Sequence, residues 1–399
     1  MMINIEENKQ YRISFHHLGF RPFFLLGSLY AVITVLLWFL QYQLNLLFPS
    51  VDNLPVIYWH GHEMIFGYGM AVIAGFLLTA VRNWTNVQTL NGIPLLALAL
   101  MWLLARLVAW VDHSAAIPVM ALLDLGFGIF LCLALAHPVI KAKQWGQLGI
   151  IFAVMLIVLA NLLFYTGMMG QISRGMELGL YAGIYFIIAL ILLMGRRVIP
   201  FFIEKGVDET IQIKNPLWLD NAGIVLMLGF IYLQVFTSYR PLASGLAFGL
   251  FLIHSWRLYI WHSKGIWQKP LLWILYIAYA FITLGFCLTG LSNLGYLNPM
   301  LALHTFGYGG MGLMTLGMMA RVALGHTGRN VFDPPAVLKW IFALATAGAL
   351  ARVVLPALSP GLHAEWIGLS QLLWCLAFGL FTLVYSPMLI KPRVDGRYG

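Results

Sequence analysis

The chain has 399 residues, of which 61% are hydrophobic and only 9% carry a charge, and its formal net charge is +9. Soluble domains carry about a quarter charged residues, so this composition excludes a water-soluble protein and indicates an integral membrane protein. The positive net charge gives no reason to expect a nucleic-acid partner, because its meaning depends on which loops hold the Lys and Arg residues.

Continuous apolar runs, bounded by charges, prolines and glycines, predict an all-α polytopic protein with about 12 transmembrane helices in one membrane domain, residues 1–399. Helices are favoured over a barrel because the runs are continuous and do not alternate between apolar and polar residues. The predicted helices cover 23–47, 58–80, 93–110, 116–138, 146–167, 177–195, 217–238, 241–261, 270–290, 300–322, 336–356 and 364–386.

Basic residues predict the orientation of these helices. With twelve crossings, the two termini and the loops after every second helix share one side, which then holds nearly all the Lys and Arg residues. The exceptions are Arg174 and Arg240 in opposite loops, and Arg106 and Arg352 inside helices. The positive-inside rule makes both termini of this multi-pass protein cytoplasmic. We expect no removable signal peptide, since acidic residues precede the first helix and no small-residue cleavage site follows.

Recurring motifs predict three four-helix units. Helices 2 and 10 each carry Phe-Gly-Tyr-Gly, at 66–69 and 306–309, and helices 3 and 11 carry Leu-Ala-Arg, ending at Arg106 and Arg352. Phe-Gly-Ile-Phe or Phe-Gly-Leu-Phe recurs in helices 4, 8 and 12. Chance similarity among spans rich in Phe, Gly and Leu is the alternative. The predicted units cover 22–140, 145–262 and 270–390.

Ionisable side chains inside a span cost about 2.5–3.5 kcal/mol each, so they are candidate functional residues. The densest group begins helix 2, at 59–64, with the sequence Trp-His-Gly-His-Glu-Met. On an α-helix His60 and His62 point about 160° apart, whereas His60, Glu63 and Met64 share a face within about 60°. The two histidines therefore serve different partners, or one of them lies in a non-helical first turn.

Helix 10 begins with another histidine, His304, and runs in the same direction as helix 2, so the two reach the same layer. Met311 lies about 20° from His304 around the helix, among several glycines. Glycines let a flat ligand approach and thioethers suit soft metals, although small residues and Met also pack membrane helices together. The coincidence of His60, His62, His304 and Glu63 at one depth predicts a metal or haem site in a pocket shared by helices 2 and 10.

Two arginines, Arg106 and Arg352, lie in the same layer. Bidentate pairing would let them bind carboxylates of a ligand, such as haem propionates. Asp124 in helix 4 is a possible partner for one of them. Internal Arg–Asp or Arg–Glu pairs that only hold helices together are the alternative.

A further candidate ligand, His326, follows His304 by 22 residues, which places the two about 33 Å apart on one helix. They cannot bind one metal atom. His326 either ligates a second metal centre or caps the end of helix 10 by hydrogen bonding. The histidines predicted on its side of the membrane are His16, His17, His137, His254 and His262.

Several long motifs together resemble the NnrS family, and the resemblance covers nearly the whole chain. These motifs are Gly19-Phe-Arg-Pro-Phe-Phe24, Trp59-His-Gly-His-Glu-Met64, Gly75-Phe-Leu-Leu-Thr-Ala80 with Asn83-Trp-Thr85, Gly195-Arg-Arg-Val-Ile-Pro-Phe-Phe202, and His304 followed by Met318-Met-Ala-Arg-Val-Ala-Leu-Gly-His-Thr-Gly-Arg329. The resemblance implies a bacterial inner-membrane protein of about twelve helices that contains haem b and copper and is associated with denitrification and nitric oxide resistance.

The resemblance also implies roles for individual residues. The histidines that match the family's motifs are His60, His62, His304 and His326. Family members often have a histidine in the ninth helix, where this chain has Tyr276. If that position is a ligand in the family, tyrosine here changes the centre or removes it.

The leading hypothesis is a haem- and copper-binding protein of the bilayer that binds nitric oxide or a related small molecule and protects against nitrosative stress. Redox activity is possible, but no electron donor can be named and no soluble-enzyme motif is present. The alternative is a 12-helix transporter of a small metabolite or metal complex, with Arg106, Arg352 and Glu63 along its pathway. A third hypothesis is a structural assembly partner.

Overall fold

The computed structural model describes residues 13–46, 54–111, 113, 115–207 and 212–399. Within these ranges the chain forms twelve long helices and no strand, which confirms the predicted fold class. The helices are α1 (Phe20–Leu44), α2 (Val56–Thr85), α3 (Gly92–Val108), α4 (Ala116–Lys141), α5 (Leu148–Met168), α6 (Gly175–Val207), α7 (Leu217–Phe236), α8 (Arg240–Trp261), α9 (Pro270–Asn293), α10 (299–326), α11 (Leu338–Leu358) and α12 (His363–Ile390). Short 3₁₀ turns precede α5, α9 and α12, at Trp145–Gln147, Lys264–Gln268 and Pro360–Leu362.

The helices have the length and composition of membrane spans. Among the described residues, nine helices are long and apolar enough to cross a membrane. Of the other three, α3 is shorter, and α8 and α10 carry more polar residues. A polar helix inside a bundle is tolerated where neighbouring helices cover it or where it lines a cavity. The protein is therefore a polytopic membrane protein.

Two helices, α2 and α10, contain π-helical segments. In α2 the segment is Glu63–Gly69, and in α10 it is Thr305–Gly312. Each contains one copy of Phe-Gly-Tyr-Gly, so the shared motif adopts the same local structure twice. A π-helical turn interrupts the 3.6-residue periodicity and is frequent at functional sites. The division into three four-helix units stays a prediction.

Helices α2, α6 and α10 meet in the middle of the bundle. A Cβ atom added to Gly69 of α2 would lie 3.1 Å from Ile187 Cδ1 in α6 and 3.4 Å from Met311 Sδ in α10. The hydroxyls of Tyr68 and Thr315 form a hydrogen bond that also joins α2 to α10. The predicted contact between helices 2 and 10 is therefore confirmed.

The two ends of the chain meet at one end of the bundle, which we call the terminal end. Arg21, at the start of α1, donates hydrogen bonds to the carbonyl oxygens of Leu389 at 2.9 Å and Lys391 at 2.7 Å. This arrangement supports an even number of crossings. Two of the basic residues behind the predicted orientation, Lys9 and Arg12, lie outside the described residues. The opposite end, where α2 and α10 begin, is called the far end.

Helices α5 and α6 cross closely, and glycines make this close crossing possible. A Cβ atom added to Gly179 would lie 2.6 Å from the backbone oxygen of Ala160 and 2.6 Å from the backbone nitrogen of Phe164. Because backbone atoms cannot rotate aside, a side chain at Gly179 would have to push the two helices apart. Small residues at such crossings let membrane helices pack closely.

We therefore expect Gly179→Ala to lower the free energy of unfolding by about 1–3 kcal/mol, the usual cost of overpacking. The matched control is Gly379→Ala in α12, where an added Cβ atom meets no described atom within 4 Å. The control should be neutral or stabilise the helix by up to about 1 kcal/mol. Thermal unfolding of both variants in detergent tests this, and equal unfolding temperatures would contradict it.

Candidate functional site: a cavity at the far end

A cavity of about 510 Å³ lies at the far end, between α1, α2, α6, α10, α11 and α12. Most of its lining is apolar, which is typical of sites that hold small molecules or cofactors. Apart from tryptophans, the polar or sulfur-containing side chains in the lining are Tyr42, Tyr58, His60, Met64, Glu177, Tyr181, Asn298, Met300, His304, Tyr308, Met311, Arg352, His363, Ser370 and Gln371.

The position and tautomer of His304 are set by two hydrogen bonds. Its Nδ1 lies 2.8 Å from the carbonyl oxygen of Met300, and its Nε2 lies 3.0 Å from Nη2 of Arg352. A carbonyl can only accept and a guanidinium can only donate, so Nδ1 carries the proton and Nε2 holds the lone pair. A histidine fixed through Nδ1 in this way is the usual arrangement for a metal ligand that binds through Nε2.

The second imidazole of the cavity, His60, is held by stacking. Its ring lies parallel to the ring of Trp38 in α1, with the ring centroids 4.8 Å apart. Within the described part of the chain its Nδ1 atom is buried and has no hydrogen-bond partner. Stacking therefore fixes the plane of the His60 ring and leaves its Nδ1 atom available to bind a ligand.

Further polar atoms around the cavity also lack partners among the described residues. They are Nη1 of Arg352 and both side-chain amide atoms of Gln371. Buried polar groups in native proteins are nearly always hydrogen-bonded, so such a group of atoms points to a bound ligand or water. Met311 and Met64 add thioether sulfurs to the lining, and Thr34 donates to Met64 Sδ at 3.6 Å.

On another side of α2 lies a separate buried ion cluster. His62 Nδ1 lies 2.8 Å from Glu63 Oε1, and Arg106 Nε of α3 lies 3.0 Å from Glu63 Oε2. The Arg106 guanidinium also forms an ion pair with Asp124 of α4. His62 Nε2 lies 3.1 Å from Oδ1 of Asn161 in α5. All four ionisable side chains are almost completely buried.

Neighbouring hydroxyl groups complete the cluster. The Tyr30 hydroxyl in α1 donates to Glu63 Oε2 at 2.6 Å, and the Tyr165 hydroxyl in α5 donates to Asp124 Oδ2 at 3.1 Å. The cluster thus links five helices, α1 to α5, through charged and hydrogen-bonded side chains. A buried ion pair is stable only when its remaining lone pairs and protons are also satisfied, as they are for both carboxylates here.

The structure divides the predicted site residues into two groups. The cavity is lined by His60, His304, Met311 and Arg352. The ion cluster contains His62, Glu63 and Arg106. The prediction that the two histidines of helix 2 serve different partners is confirmed.

The prediction that Glu63 shares the face of His60 is wrong. We also expected His60, His62 and His304 to converge on one pocket, and only His60 and His304 do so. The reason is electrostatic. A carboxylate can be buried at this depth only beside a cation, and Arg106 provides it. Two alternatives were given for the arginines. Arg106 forms internal ion pairs with Asp124 and Glu63, whereas Arg352 lines the cavity, where a ligand would bind.

We expect Arg106→Met to destabilise the protein by about 3–5 kcal/mol, because two buried carboxylates would lose the cation between them. The matched control is Arg174→Met, since Arg174 forms an exposed ion pair with Glu177 at the same end of the bundle. The control should leave the unfolding temperature nearly unchanged. Thermal unfolding in detergent tests both, and a mild effect of Arg106→Met would show that the cluster is hydrated or neutral.

At the terminal end, the described contacts of the His326 ring are with Asn83 and Phe20 and not with the predicted histidines. Its Nε2 is 3.4 Å from the side-chain nitrogen of Asn83, and its ring centroid is 5.7 Å from that of Phe20. In the part of the chain that the structure describes, no group of three or more His, Cys, Asp or Glu side chains is arranged to hold a metal ion. The second metal centre at His326 stays a prediction.

Other histidines predicted on that side have their own contacts. His254 Nδ1 lies 2.7 Å from the Tyr279 hydroxyl, and the ring of His17 stacks on that of Tyr398 with centroids 4.4 Å apart. Burial, followed by the nearby charges of His16 and Arg21, lowers the pKa of His17 to about 4. At neutral pH the His17 ring is therefore uncharged.

Sequence reasoning missed several polar residues of the cavity, among them His363 and Gln371 of α12. A signal for both was present. His363 begins a helix that starts at the far end, as His304 does, and Gln371 is a polar residue inside an apolar span. Trp38 and Tyr42 of α1 also line the cavity, but aromatic residues are common in apolar spans and mark no site by themselves.

A family model described as "NnrS protein" matches residues 14–393, which include all twelve helices and every polar residue of the cavity. No curated protein matches the sequence.

Proposed function

Because the chain belongs to the NnrS family over nearly its whole length, we propose that it is a haem- and copper-binding protein of the bacterial inner membrane that protects against nitric oxide and nitrosative stress. Family membership supports a membrane protein related to the nitric oxide response in general. The cofactors, the protective role and the location in the inner membrane, with both termini cytoplasmic, are the proposal.

The observation that carries the proposal is the pair of imidazoles, His60 and His304, that α2 and α10 contribute to one cavity. His304 has its Nε2 lone pair available once Arg352 moves, and His60 has a buried Nδ1 without a partner among the described residues. The thioethers of Met64 and Met311 line the same cavity. Imidazole and thioether are common ligands of haem iron, and thioether favours Cu(I), so these donors fit both groups.

Within this proposal the residues have distinct tasks. His60 and His304 would hold the metal, and Met64 or Met311 would supply a softer ligand. A bound haem iron would supply a binding site for nitric oxide, and a bound copper would supply redox chemistry. The Met300 carbonyl orients the His304 ring, and the Trp38 ring fixes the plane of His60. The apolar walls keep water out while admitting a small uncharged molecule such as nitric oxide.

We expect protein purified from cells supplied with iron and copper to show haem absorbance and bound copper. His304→Ala should abolish or shift the haem absorbance bands, because it removes the oriented imidazole, and His60→Ala should lower metal content. The matched control is His113→Ala, an exposed histidine between α3 and α4. Optical spectra and elemental analysis test this. Wild-type protein that contains neither haem nor copper would contradict the proposed function.

The transporter alternative is favoured by a different observation. A cavity of about 510 Å³ with a buried cation, surrounded by six helices, is also large enough for a small metabolite. Only Arg352 of the three residues predicted along its pathway lines the cavity, since Glu63 and Arg106 belong to the ion cluster. Uptake by membrane vesicles that persists after replacement of His60 and His304 by alanine would favour transport. If these replacements changed only stability, a structural role would be favoured.

A further inference from the structure

One cation in the cavity, Arg352, has no acidic partner in the described residues. Its Nη2 donates to His304 Nε2, and its Nη1 is buried without a partner in the same set of residues. The one acidic side chain of the lining, Glu177, forms an ion pair with Arg174 at 3.0 Å. A guanidinium is always charged, and a buried charge without a counter-ion is strongly unfavourable. The described residues therefore supply no counter-ion to Arg352.

Its counterpart Arg106 shows what is missing. Both arginines end the motif Leu-Ala-Arg, in α3 and α11, yet Arg106 lies between the carboxylates of Glu63 and Asp124. When the Phe-Gly-Tyr-Gly motifs of α2 and α10 are aligned, Leu303 takes the place of Glu63.

The same comparison can be made for the second carboxylate. When Phe-Gly-Ile-Phe of α4 is aligned with Phe-Gly-Leu-Phe of α12, Cys375 takes the place of Asp124. At both aligned positions an uncharged residue thus replaces the acid, and Arg352 lines the cavity. Among the described residues, no acid serves Arg352 as Glu63 and Asp124 serve Arg106.

We infer that Arg352 binds a carboxylate of the cavity's ligand and that this contact releases His304 for metal binding. At present Arg352 occupies the lone pair of His304 Nε2, the atom that would bind a metal. A carboxylate offers the guanidinium two stronger, charge-assisted hydrogen bonds, so it draws Arg352 away from the imidazole. The Met300 carbonyl keeps the ring in place meanwhile.

This coupling deepens the proposed function, on which it rests, because it names the class of cofactor. A bare metal ion brings no carboxylate, and it would meet a guanidinium charge at the atom it has to reach. A metal cofactor whose ring carries carboxylate groups satisfies both residues at once. The cavity therefore selects a carboxylate-bearing metal cofactor over the free ion, and Arg352 acts as a positioning residue for His304.

The test uses the full-length protein in detergent and two metal-free probes, protoporphyrin and its dimethyl ester, which differ only in the two carboxylates. We expect protoporphyrin to bind wild-type protein about 10- to 100-fold more tightly than the ester, the range for a hydrogen bond to a charged group. Arg352→Gln, which keeps a donor for His304, should abolish this preference. The matched control is Arg240→Gln, a cation at the far end outside the cavity lining. Porphyrin fluorescence measures binding.

Equal affinity of acid and ester for wild-type protein would overturn the inference without using any variant, so misfolding of Arg352→Gln cannot obscure the result. Failure of protoporphyrin to bind wild-type protein would overturn it as well. A second arm adds haem and records the absorbance spectrum with and without His304→Ala. If Arg352-dependent acid preference is found but the haem spectrum does not depend on His304, carboxylate recognition stands and the proposed haem ligation fails.

Discussion

Charge buried inside the hydrocarbon layer has to be paired, and this constraint organises the far end of the protein. Glu63 and Asp124 are buried because Arg106 lies between them, with His62 and two tyrosine hydroxyls on the remaining oxygens. The resulting cluster joins five helices. Without water to solvate these groups, the helices can be arranged only in ways that keep the pairs together.

The contrast between the two arginines explains why one side of the bundle is closed and the other holds a cavity. Arg106 finds its counter-ions within the chain, and the pocket beside Asp124, between α2, α4 and α5, has a volume of only about 10 Å³. Arg352 has no acidic partner among the described residues, and the cavity that it lines has a volume of about 510 Å³. A structural role and a binding role thus follow from the same motif, according to whether acidic partners are present.

Helix α2 connects the two regions. His60 and His62 are two residues apart, and this spacing sends one ring to the cavity and the other to the ion cluster. A disturbance of the cluster would therefore be transmitted to the cavity through a single helical turn. The π-helical segment Glu63–Gly69 begins directly after these histidines, and its counterpart Thr305–Gly312 begins directly after His304. Both imidazole-bearing turns thus precede a change of helical winding.

The sequence alone determined the fold class, the number of helices and the family, because continuous apolar runs and long motifs are local properties. It also identified nearly every ionisable residue of the far end, since charge inside a span is conspicuous. The sequence could not decide which of these residues contact one another or line the same cavity. The helical angle placed Glu63 with His60, whereas Arg106, a residue on another helix, decides where Glu63 lies. Only the tertiary structure showed that Arg352 binds His304 and has no acidic partner among the described residues, because pairing between helices depends on their packing and not on spacing along one chain.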